Sequence, residues 1–324
     1  MADREAWVNG GLVALLLAGV TVADATDEIY YVNLASRIVI IAMAGVGLNL
    51  ALGYGGMISF GHAAFFGLGG YAAGIAAFHA FEETLFAGIL PGSNQMLVIW
   101  PIAVLVSGLA ALLIGAISLR TQGVYFIMIT LAFAQMIYYF AISFPAYGGE
   151  DGLPIYLRNE LPLIDTSNDL NFFFVAFALL LVAIGLTARL TGARFGAALT
   201  MARLNEARLA TSGVEPFPVK LTAFVISAMI TGLAGALYAD WNNSAGTNML
   251  SWQLSGEIMV IVILGGVGRL FGPLAGAILF VGLETQIGGM TPHWKLYIGL
   301  VLLGVVLFAR GGLIGALAGK ARHG

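Results

Sequence analysis

The chain has 324 residues, of which 60% are hydrophobic and only 10% are charged. Soluble domains carry about 25% charged residues, so this chain has too little polar surface to cover a water-soluble globule. The mean hydropathy of +0.94 agrees and predicts a protein solvated by lipid. The net charge of -3 gives no sign of nucleic-acid binding, and the lack of cysteine excludes disulfides and thiolate metal sites.

Apolar runs that could cross a bilayer as helices, which takes about 20 residues, occur ten times along the chain. Backbone polar groups have no water partners in hydrocarbon, so the expected fold is an all-α integral membrane protein, a single transmembrane domain over residues 1–324. The first run and the last three are short, which leaves nine spans or a re-entrant segment as alternatives. The predicted spans are 8–23, 30–53, 62–80, 97–118, 123–144, 171–190, 220–240, 253–268, 271–287 and 295–309.

The positions of Lys and Arg predict the orientation, because cytoplasmic connections are enriched in these residues. With the N-terminus inside, Arg37, Arg158 and Lys295 face out, and the other eleven of the fourteen basic residues face in. Both termini are therefore predicted to be cytoplasmic. The inner set is Arg4, Arg120, Arg189, Arg194, Arg203, Arg208, Lys220, Arg269, Arg310, Lys320 and Arg322.

Two connections are long enough to do more than join helices: an outer loop of about 145–170 and an inner loop of about 191–219. The outer loop combines Gly148, Gly149 and Pro154 with acidic residues. This composition fits a surface that meets a soluble partner, and it fits an ordinary solvated loop nearly as well.

Glycines interrupt two hydrophobic stretches at corresponding places. Gly55 and Gly56 precede Gly61, and Gly265 and Gly266 precede Gly272. Each group falls between two spans on the predicted inner side. Such breaks in two halves of a chain indicate a transport pathway, because irregular backbone at membrane depth survives only where it lines a cavity or is buried in protein. The pattern also predicts an internal duplication.

Residues for enzymatic chemistry are sparse. The four histidines, His62, His79, His293 and His323, are far apart, so neither a catalytic nor a metal site is expected. The string from Gly315 to Lys320 has the wrong spacing for an ATP-binding P-loop.

Polar residues within or near the spans are the remaining candidates for the transport pathway. Arg37, Asp240, Glu257 and Glu284 lie nearer the outer ends of spans than their centres, where they either pair with one another or form an acidic vestibule for an ammonium group. Asn49, Ser59, His62, Gln135 and Ser227 are pathway candidates together with Gly55, Gly56, Gly265 and Gly266. Each polar member could equally form a hydrogen bond between helices, and His62 could cap a turn.

Four stretches of the chain have a distinctive pattern: GLNLALGYGGMISFGHAAFFGLGGYAAG (Gly47 to Gly74), LRTQGVYFIMITLAFAQM (Leu119 to Met136), GARFGAALTMARLNEARLATSGVEPFPVKLTAFVISAMITGLAGALYA (Gly192 to Ala239) and SGEIMVIVILGGVGRLFGPLAGA (Ser255 to Ala277). Together they resemble the LivM-type permease of branched-chain amino-acid ABC importers.

The resemblance implies a transport subunit in the bacterial inner membrane that moves branched-chain or other small hydrophobic amino acids by alternating access. It implies a second permease of the LivH type, two cytoplasmic ATPase subunits that bind ATP and magnesium, and a periplasmic solute-binding protein. This chain itself is expected to bind no cofactor and to hydrolyse no ATP. Related permeases for urea, short amides and small organic acids share these strings, so those substrates are alternatives. An ion-coupled carrier is a further alternative, although ionisable groups are scarce at mid-span.

The resemblance also places a coupling helix for the ATPase in the inner loop, in the segment from Ala202 to Gly213. The residues that match the motif are Arg203, Asn205, Glu206, Ala207 and Gly213. Without the resemblance, an ordinary amphipathic connector would be as good a reading. The chain departs from the family pattern at Leu204, Pro216, Pro218 and Val219, which bears on the details of the ATPase contact.

Overall fold

The protein is described by a computed structural model that covers residues 2–86, 90–156, 158–162, 164–291, 293–308 and 311–319. Arg310, Lys320 and Arg322 of the predicted inner set lie outside these residues. The predicted all-α membrane fold is confirmed, and a helix occupies each of the ten predicted positions. The helices are α1 (Ala2–Ala25), α2 (Ile29–Asn49), α3 (His62–Phe81), α4 (Met96–Ser118), α5 (Val124–Ile142), α6 (Asp169–Gly192), α7 (Arg194–Leu204), α8 (Glu206–Thr211), α9 (Pro216–Asn242), α10 (Trp252–Gly265), α11 (Gly272–Gly288), α12 (Trp294–Phe308) and α13 (Gly312–Ala318).

Helix lengths separate the spans into two groups. Within the described residues, seven helices are long and apolar enough to cross a membrane: α1 to α6 and α9. A π-helical turn at Leu50–Tyr54 lengthens the second of these. The last three predicted spans correspond to α10, α11 and α12, which have only 14, 17 and 15 residues. The short runs in the sequence are therefore short helices in the fold.

Non-helical structure is confined to the connections. Leu85–Phe86 (β1) pairs with Leu90–Pro91 (β2), and Leu153–Pro154 (β3) pairs with Ser244–Ala245 (β4), both antiparallel. Turns of 3-10 helix lie at Pro145–Tyr147 and Thr247–Leu250. The β3–β4 pair fastens the long outer loop to the connection between α9 and α10.

The core lies around α9, which packs against α2 on one side and α3 on another; α4 packs on α3 and α9, and α6, α10 and α11 pack on α2. Most of α2 is buried, whereas α1 and α5 expose most of their surface. Because lipid is as apolar as leucine, burial in this core adds little hydrophobic driving force, and association depends on close packing.

Glycines give α3 and α9 their close approach. A side chain at Gly69 would collide with the backbone of Gly232, and a side chain at Gly235 would collide with the carbonyl oxygen of Phe66. Close backbone contact of this kind is what small residues permit between membrane helices. Gly276 does the same for α11, since a β-carbon there would meet the backbone of Ile261 in α10.

Two irregular segments reach the depth of helix centres. The segment 55–61 leads to His62, whose Nε2 lies 2.7 Å from the Ser227 hydroxyl, eleven residues into the 27-residue α9. The segment 246–251 leads into α10, where the Ser255 hydroxyl accepts a hydrogen bond from the Ala63 amide at 2.9 Å. α3 therefore begins inside the protein, at the fully buried His62, whereas α10 begins at the exposed Trp252 and reaches α3 with Ser255.

Contacts between loops sort them into two ends. Segments predicted to be inner meet one another, as in the hydrogen bond from Gln122 to Glu206. Segments predicted to be outer also meet one another, as in the hydrogen bond from the Thr247 hydroxyl to the Glu150 carbonyl. This sorting fits the predicted alternation of the spans. Which end faces the cytoplasm stays a prediction from the charge distribution.

The α3–α9 contact yields a stability prediction. Replacing Gly235 by Ala places a methyl group against the Phe66 carbonyl, so we expect a loss of about 1–3 kcal/mol from overpacking. The measurement is the thermal unfolding midpoint of the purified protein in detergent. Gly185→Ala in α6 is the matched control, because no atom lies within 4 Å of a β-carbon at that position. Equal midpoints for the two variants would contradict the packing argument.

Candidate functional site

The two glycine-rich breaks meet at one place, which we call the inner junction: Asn49, Gly53, Arg203, Gly268 and Arg269. The Asn49 side chain, which is 1% exposed, donates to the Arg269 carbonyl at 2.8 Å and accepts from the Gly268 amide at 2.9 Å. A single amide thus joins the end of α2 to the loop between α10 and α11. Gly53 lies against Gly268, where a β-carbon would leave 2.8 Å to the Gly268 α-carbon.

Arg203 connects the inner junction to the inner loop. Its guanidinium Nη1 donates to the Gly53 carbonyl, which lies in the π-helical turn. Its aliphatic stem covers Gly56, where a β-carbon would approach the Arg203 γ-carbon at 2.6 Å. Gly56 has a φ of +67°, a conformation that glycine adopts without strain. Single π-helical turns within α-helices occur frequently at functional sites.

Arg269 extends the junction toward both ends of the chain. Its side chain is 4% exposed, and Nη2 donates to the Gly319 carbonyl at 2.6 Å. Nη1 lies 3.7 Å from the Glu5 carboxylate. A buried charge of this kind is tolerated because it is paired and hydrogen-bonded.

The segment Ala202–Gly213, in which a coupling helix is expected, contains the end of α7 and the whole of the short helix α8. Asn205 ends α7 and caps α8. The Asn205 side chain accepts from the Arg208 amide at 3.0 Å, as expected for a favoured N-cap residue. An N-cap needs non-helical backbone, so the chain must bend at Asn205.

Glu206 fixes α8 to its neighbours. Its carboxylate accepts from Lys220 Nζ at 2.6 Å and from Gln122 Nε2 at 3.0 Å. These contacts join α8 to α9 and to the connection between α4 and α5. Ala207 is exposed on α8, and Gly213 closes the segment with a φ of +86° and nothing within 4 Å of a β-carbon. The segment is therefore exposed at Ala207 and Gly213, while Glu206 holds it against its neighbours.

The buried pathway candidates connect helices rather than line open space. The Ser227 hydroxyl donates to the Gly47 carbonyl at 2.6 Å, so His62 Nε2 donates to Ser227 in the consistent assignment. This chain joins α3, α9 and α2. The Ser59 hydroxyl accepts from the Gly61 amide at 3.1 Å within the irregular segment.

The remaining pathway candidates differ in exposure. Gly55 and Gly265 are buried, and a β-carbon at Gly265 would collide with the Gly272 carbonyl. Gly266 has a φ of +122°, which a residue with a side chain rarely adopts. Gln135 is half-buried on α5. The structure thus does not bring Gln135 into the inner junction.

The outer acidic candidates have three different environments. Glu284 pairs with Arg37 at 2.9 Å. Asp240 is fully buried and accepts from Asn159 at 2.5 Å, which ties the outer loop to α9. Glu257 forms no ion pair within 4.0 Å in the described part of the chain. Of the two alternatives, ion pairing therefore describes Glu284, whereas Glu257 has the open carboxylate that an acidic vestibule requires.

A cavity of about 230 Å³ lies beside Glu257, between α2, α9, α10 and α11. Arg37, Glu257 and Tyr238 provide charged and polar groups, and Ile258, Ile261 and Phe280 provide an apolar wall. We call it the outer cavity. Charged groups facing a cavity within a membrane domain are costly and usually functional.

The outer loop is anchored along much of its length. Arg158 donates to the Thr166 carbonyl at 3.0 Å, and the Thr166 hydroxyl donates to the Asn159 carbonyl at 2.7 Å. The Met96 amide donates to the Glu160 carbonyl at 2.9 Å. A loop held in this way is a defined surface rather than a flexible tether.

Some of these residues gave no signal in the sequence. In the sequence, Lys220 and Arg269 are only two of the positive charges on the predicted inner side. Gln122 and Asn159 lie in polar connections, where many residue types are possible. Their partners are 14 to 220 positions away along the chain. Only the packing of helices reveals such pairs.

The Asn49 bridge yields a second prediction. Asn49→Ala leaves the Gly268 amide without its partner and removes one of the two hydrogen bonds of the Arg269 carbonyl, so we expect destabilisation of about 1–3 kcal/mol. The readout is the thermal unfolding midpoint. Asn171→Ala is the control, because Asn171 is exposed in part and makes one hydrogen bond to the Asp165 carbonyl. A midpoint for Asn49→Ala no lower than that of the control would refute the bridging role.

Comparison with known proteins gives one consistent result. Residues 30–310 match the family described as branched-chain amino acid transport system / permease component. No solved structure gives a significant match to the chain.

Two relatives are similar over most of the chain. The high-affinity branched-chain amino acid transport system permease protein LivM of Salmonella typhimurium is 27% identical over 307 residues, and LivM of Escherichia coli is 27% identical over 308 residues. Each alignment covers 87% of this chain and 69% of the relative. The expected family resemblance is confirmed. The family match spans the inner junction, the inner loop and the outer cavity, and the chain belongs to the family of permease components of branched-chain amino acid transport systems.

Proposed function

We propose that this chain is the membrane permease subunit of an ATP-binding-cassette importer that moves branched-chain amino acids into the cytoplasm. The observation that carries the proposal is the contact of Arg203 with the Gly53 carbonyl. It links the segment that matches the coupling motif to the place where both glycine-rich breaks meet. Membership of the permease family supports the same assignment.

Force from a cytoplasmic partner has a short route through the protein. α8 is fixed to α9 by the ion pair of Glu206 with Lys220, and α7 is fixed to the π-helical turn by Arg203. Asn49 then joins that turn to the loop before α11. A movement of α7 and α8 would therefore act on α2, α9 and α11 together.

The proposed mechanism is alternating access. ATP and magnesium bind to two partner ATPases, whose closure moves the α7–α8 segment and opens the permease to the outside. Hydrolysis resets the complex. The substrate shifts this equilibrium only by its difference in affinity for the two states, so tight binding by the permease is unnecessary.

The proposed partners occupy the two ends of the molecule and its side. The anchored outer loop offers a defined surface to a periplasmic solute-binding protein, and the exposed residues of α8 offer one to an ATPase. A second permease of the LivH type completes the membrane part in the bacterial inner membrane. Urea, short amides or small organic acids are the alternative substrates, and an ion-coupled carrier is the alternative mechanism.

The coupling role predicts a specific defect. Glu206→Gln removes the charge that pairs with Lys220 at 2.6 Å, so we expect ATP hydrolysis to continue while uptake per ATP falls about 10-fold, in line with about 1.4 kcal/mol of lost coupling. Radiolabelled leucine uptake and phosphate release are measured in the same proteoliposomes. Glu215→Gln is the matched control in the same loop, since Glu215 makes no side-chain cap hydrogen bond. An unchanged uptake-to-hydrolysis ratio would remove the coupling assignment.

The energy source provides a second test. Proteoliposomes that contain this chain, its partner permease and the ATPases should take up leucine only with ATP and the solute-binding protein present. Dissipating ion gradients should leave the uptake unchanged. Uptake by this chain alone that stops when the gradients are dissipated would instead establish the ion-coupled carrier.

A further inference from the structure

The outer cavity has the size and polarity of a site for a small amphipathic molecule. A protein cavity of about 150 Å³ holds benzene, which has about six non-hydrogen atoms. In proportion, a cavity of about 230 Å³ accommodates about nine non-hydrogen atoms, which is the number in leucine or isoleucine. The cavity could therefore enclose one such amino acid without enlargement.

The charged groups of the cavity suit opposite ends of a zwitterion. Glu257 is half-buried and forms no ion pair within 4.0 Å in the described part of the chain, although Arg37 and Lys295 act on it through space. Arg37 uses Nη2 for Glu284, whereas its Nη1 makes no hydrogen bond to the described residues and is not among the buried nitrogens. One carboxylate and one guanidinium edge are thus available to a ligand.

The charge balance selects the ligand further. Arg37 and Glu284 neutralise each other, so Glu257 is the carboxylate of the cavity lining without a close partner, and Lys295 offsets its charge only from beyond 4.0 Å. A cation or a zwitterion that places its ammonium at Glu257 is favoured, and a simple anion is repelled. Opposite the charged groups, Ile258, Ile261 and Phe280 form an aliphatic and aromatic wall that favours a short branched side chain.

We propose that the outer cavity binds one free branched-chain α-amino acid within this subunit. Glu257 holds the ammonium group, the free edge of Arg37 holds the carboxylate, and the apolar wall holds the side chain. The inference rests on the proposed transport function and adds a substrate site formed by this chain alone. It gives the substrate a place to stay after it leaves the solute-binding protein.

Direct binding tests the site without ATP or the solute-binding protein. Tritiated isoleucine is added to the purified permease complex in phosphatidylglycerol nanodiscs, and bound label is counted by scintillation proximity. We expect saturable binding that leucine displaces and N-acetylisoleucine does not, because the acetyl group removes the ammonium charge. Glu257→Gln should weaken binding at least about 10-fold through loss of a charge-assisted hydrogen bond. Glu82→Gln, an exposed outer carboxylate away from the cavity, should bind normally.

A second variant guards against misfolding as an explanation. Leu254→Trp adds bulk at a half-buried position of the cavity lining and should abolish binding while the thermal unfolding midpoint stays near that of the wild type. Normal binding by Glu257→Gln or Leu254→Trp would overturn the proposal.

Three further outcomes distinguish a lipid headgroup from a free amino acid, and failure of the cavity site from failure of the transport function. If phosphatidylethanolamine in the nanodisc competes with isoleucine and Glu257→Gln relieves the competition, the cavity is a lipid headgroup site and the proposal fails. If the wild-type complex drives ATP-dependent uptake but shows no saturable binding, the cavity proposal fails and the transport function stands. Absence of ATP-dependent uptake together with intact isoleucine binding would reject the ABC mechanism and support the site.

Discussion

Backbone amides and carbonyls within a bilayer must find hydrogen-bond partners inside the protein, and this requirement governs the parts of the fold that are not helical. The chain leaves the helical pattern at 55–61, 246–251 and 266–271. At the first and the last of these places buried side chains take over missing bonds: Ser59 and Ser255 accept from the Gly61 and Ala63 amides, and Asn49 accepts from the Gly268 amide. Small polar residues are therefore concentrated where the chain turns within the protein.

The same requirement explains why the presumed pathway residues are interior connectors. His62, Ser227 and Asn49 all lie at 1% exposure or less. His62 and Ser227 bond between helices, and Asn49 bonds from α2 to the loop before α11. A hydroxyl or amide that is already bonded on both sides has little capacity left for a passing solute. What these residues do is hold α3 to α9, α9 to α2, and α2 to the loop before α11.

Charge at the outer end is divided between structure and ligand binding. Arg37 and Glu284 hold α2 and α11 together, and Asn159 covers Asp240. Glu257 is left facing a cavity that also has an apolar wall. Of the three carboxylates, Glu284 is paired, Asp240 is covered and Glu257 is open. An unpaired charge within a membrane domain is costly and is usually retained for function, so Glu257 is the one that indicates a binding site.

Composition and periodicity determined that this is a lipid-solvated bundle, because helix formation in a membrane depends on local apolar length. They placed a helix at each of the ten predicted spans and located the inner loop and the two glycine-rich breaks. Polarity within the spans marked Asn49 and Glu257 as candidates, and the family resemblance marked Glu206. The tertiary structure decided how those residues act: Asn49 bridges to Arg269, which is 220 positions away, and Glu206 pairs with Lys220 on the next helix. It also divided the coupling segment at Asn205. Such outcomes depend on which helices come together, and in a uniformly apolar chain many arrangements satisfy the same pattern until the glycine contacts and polar bridges select one.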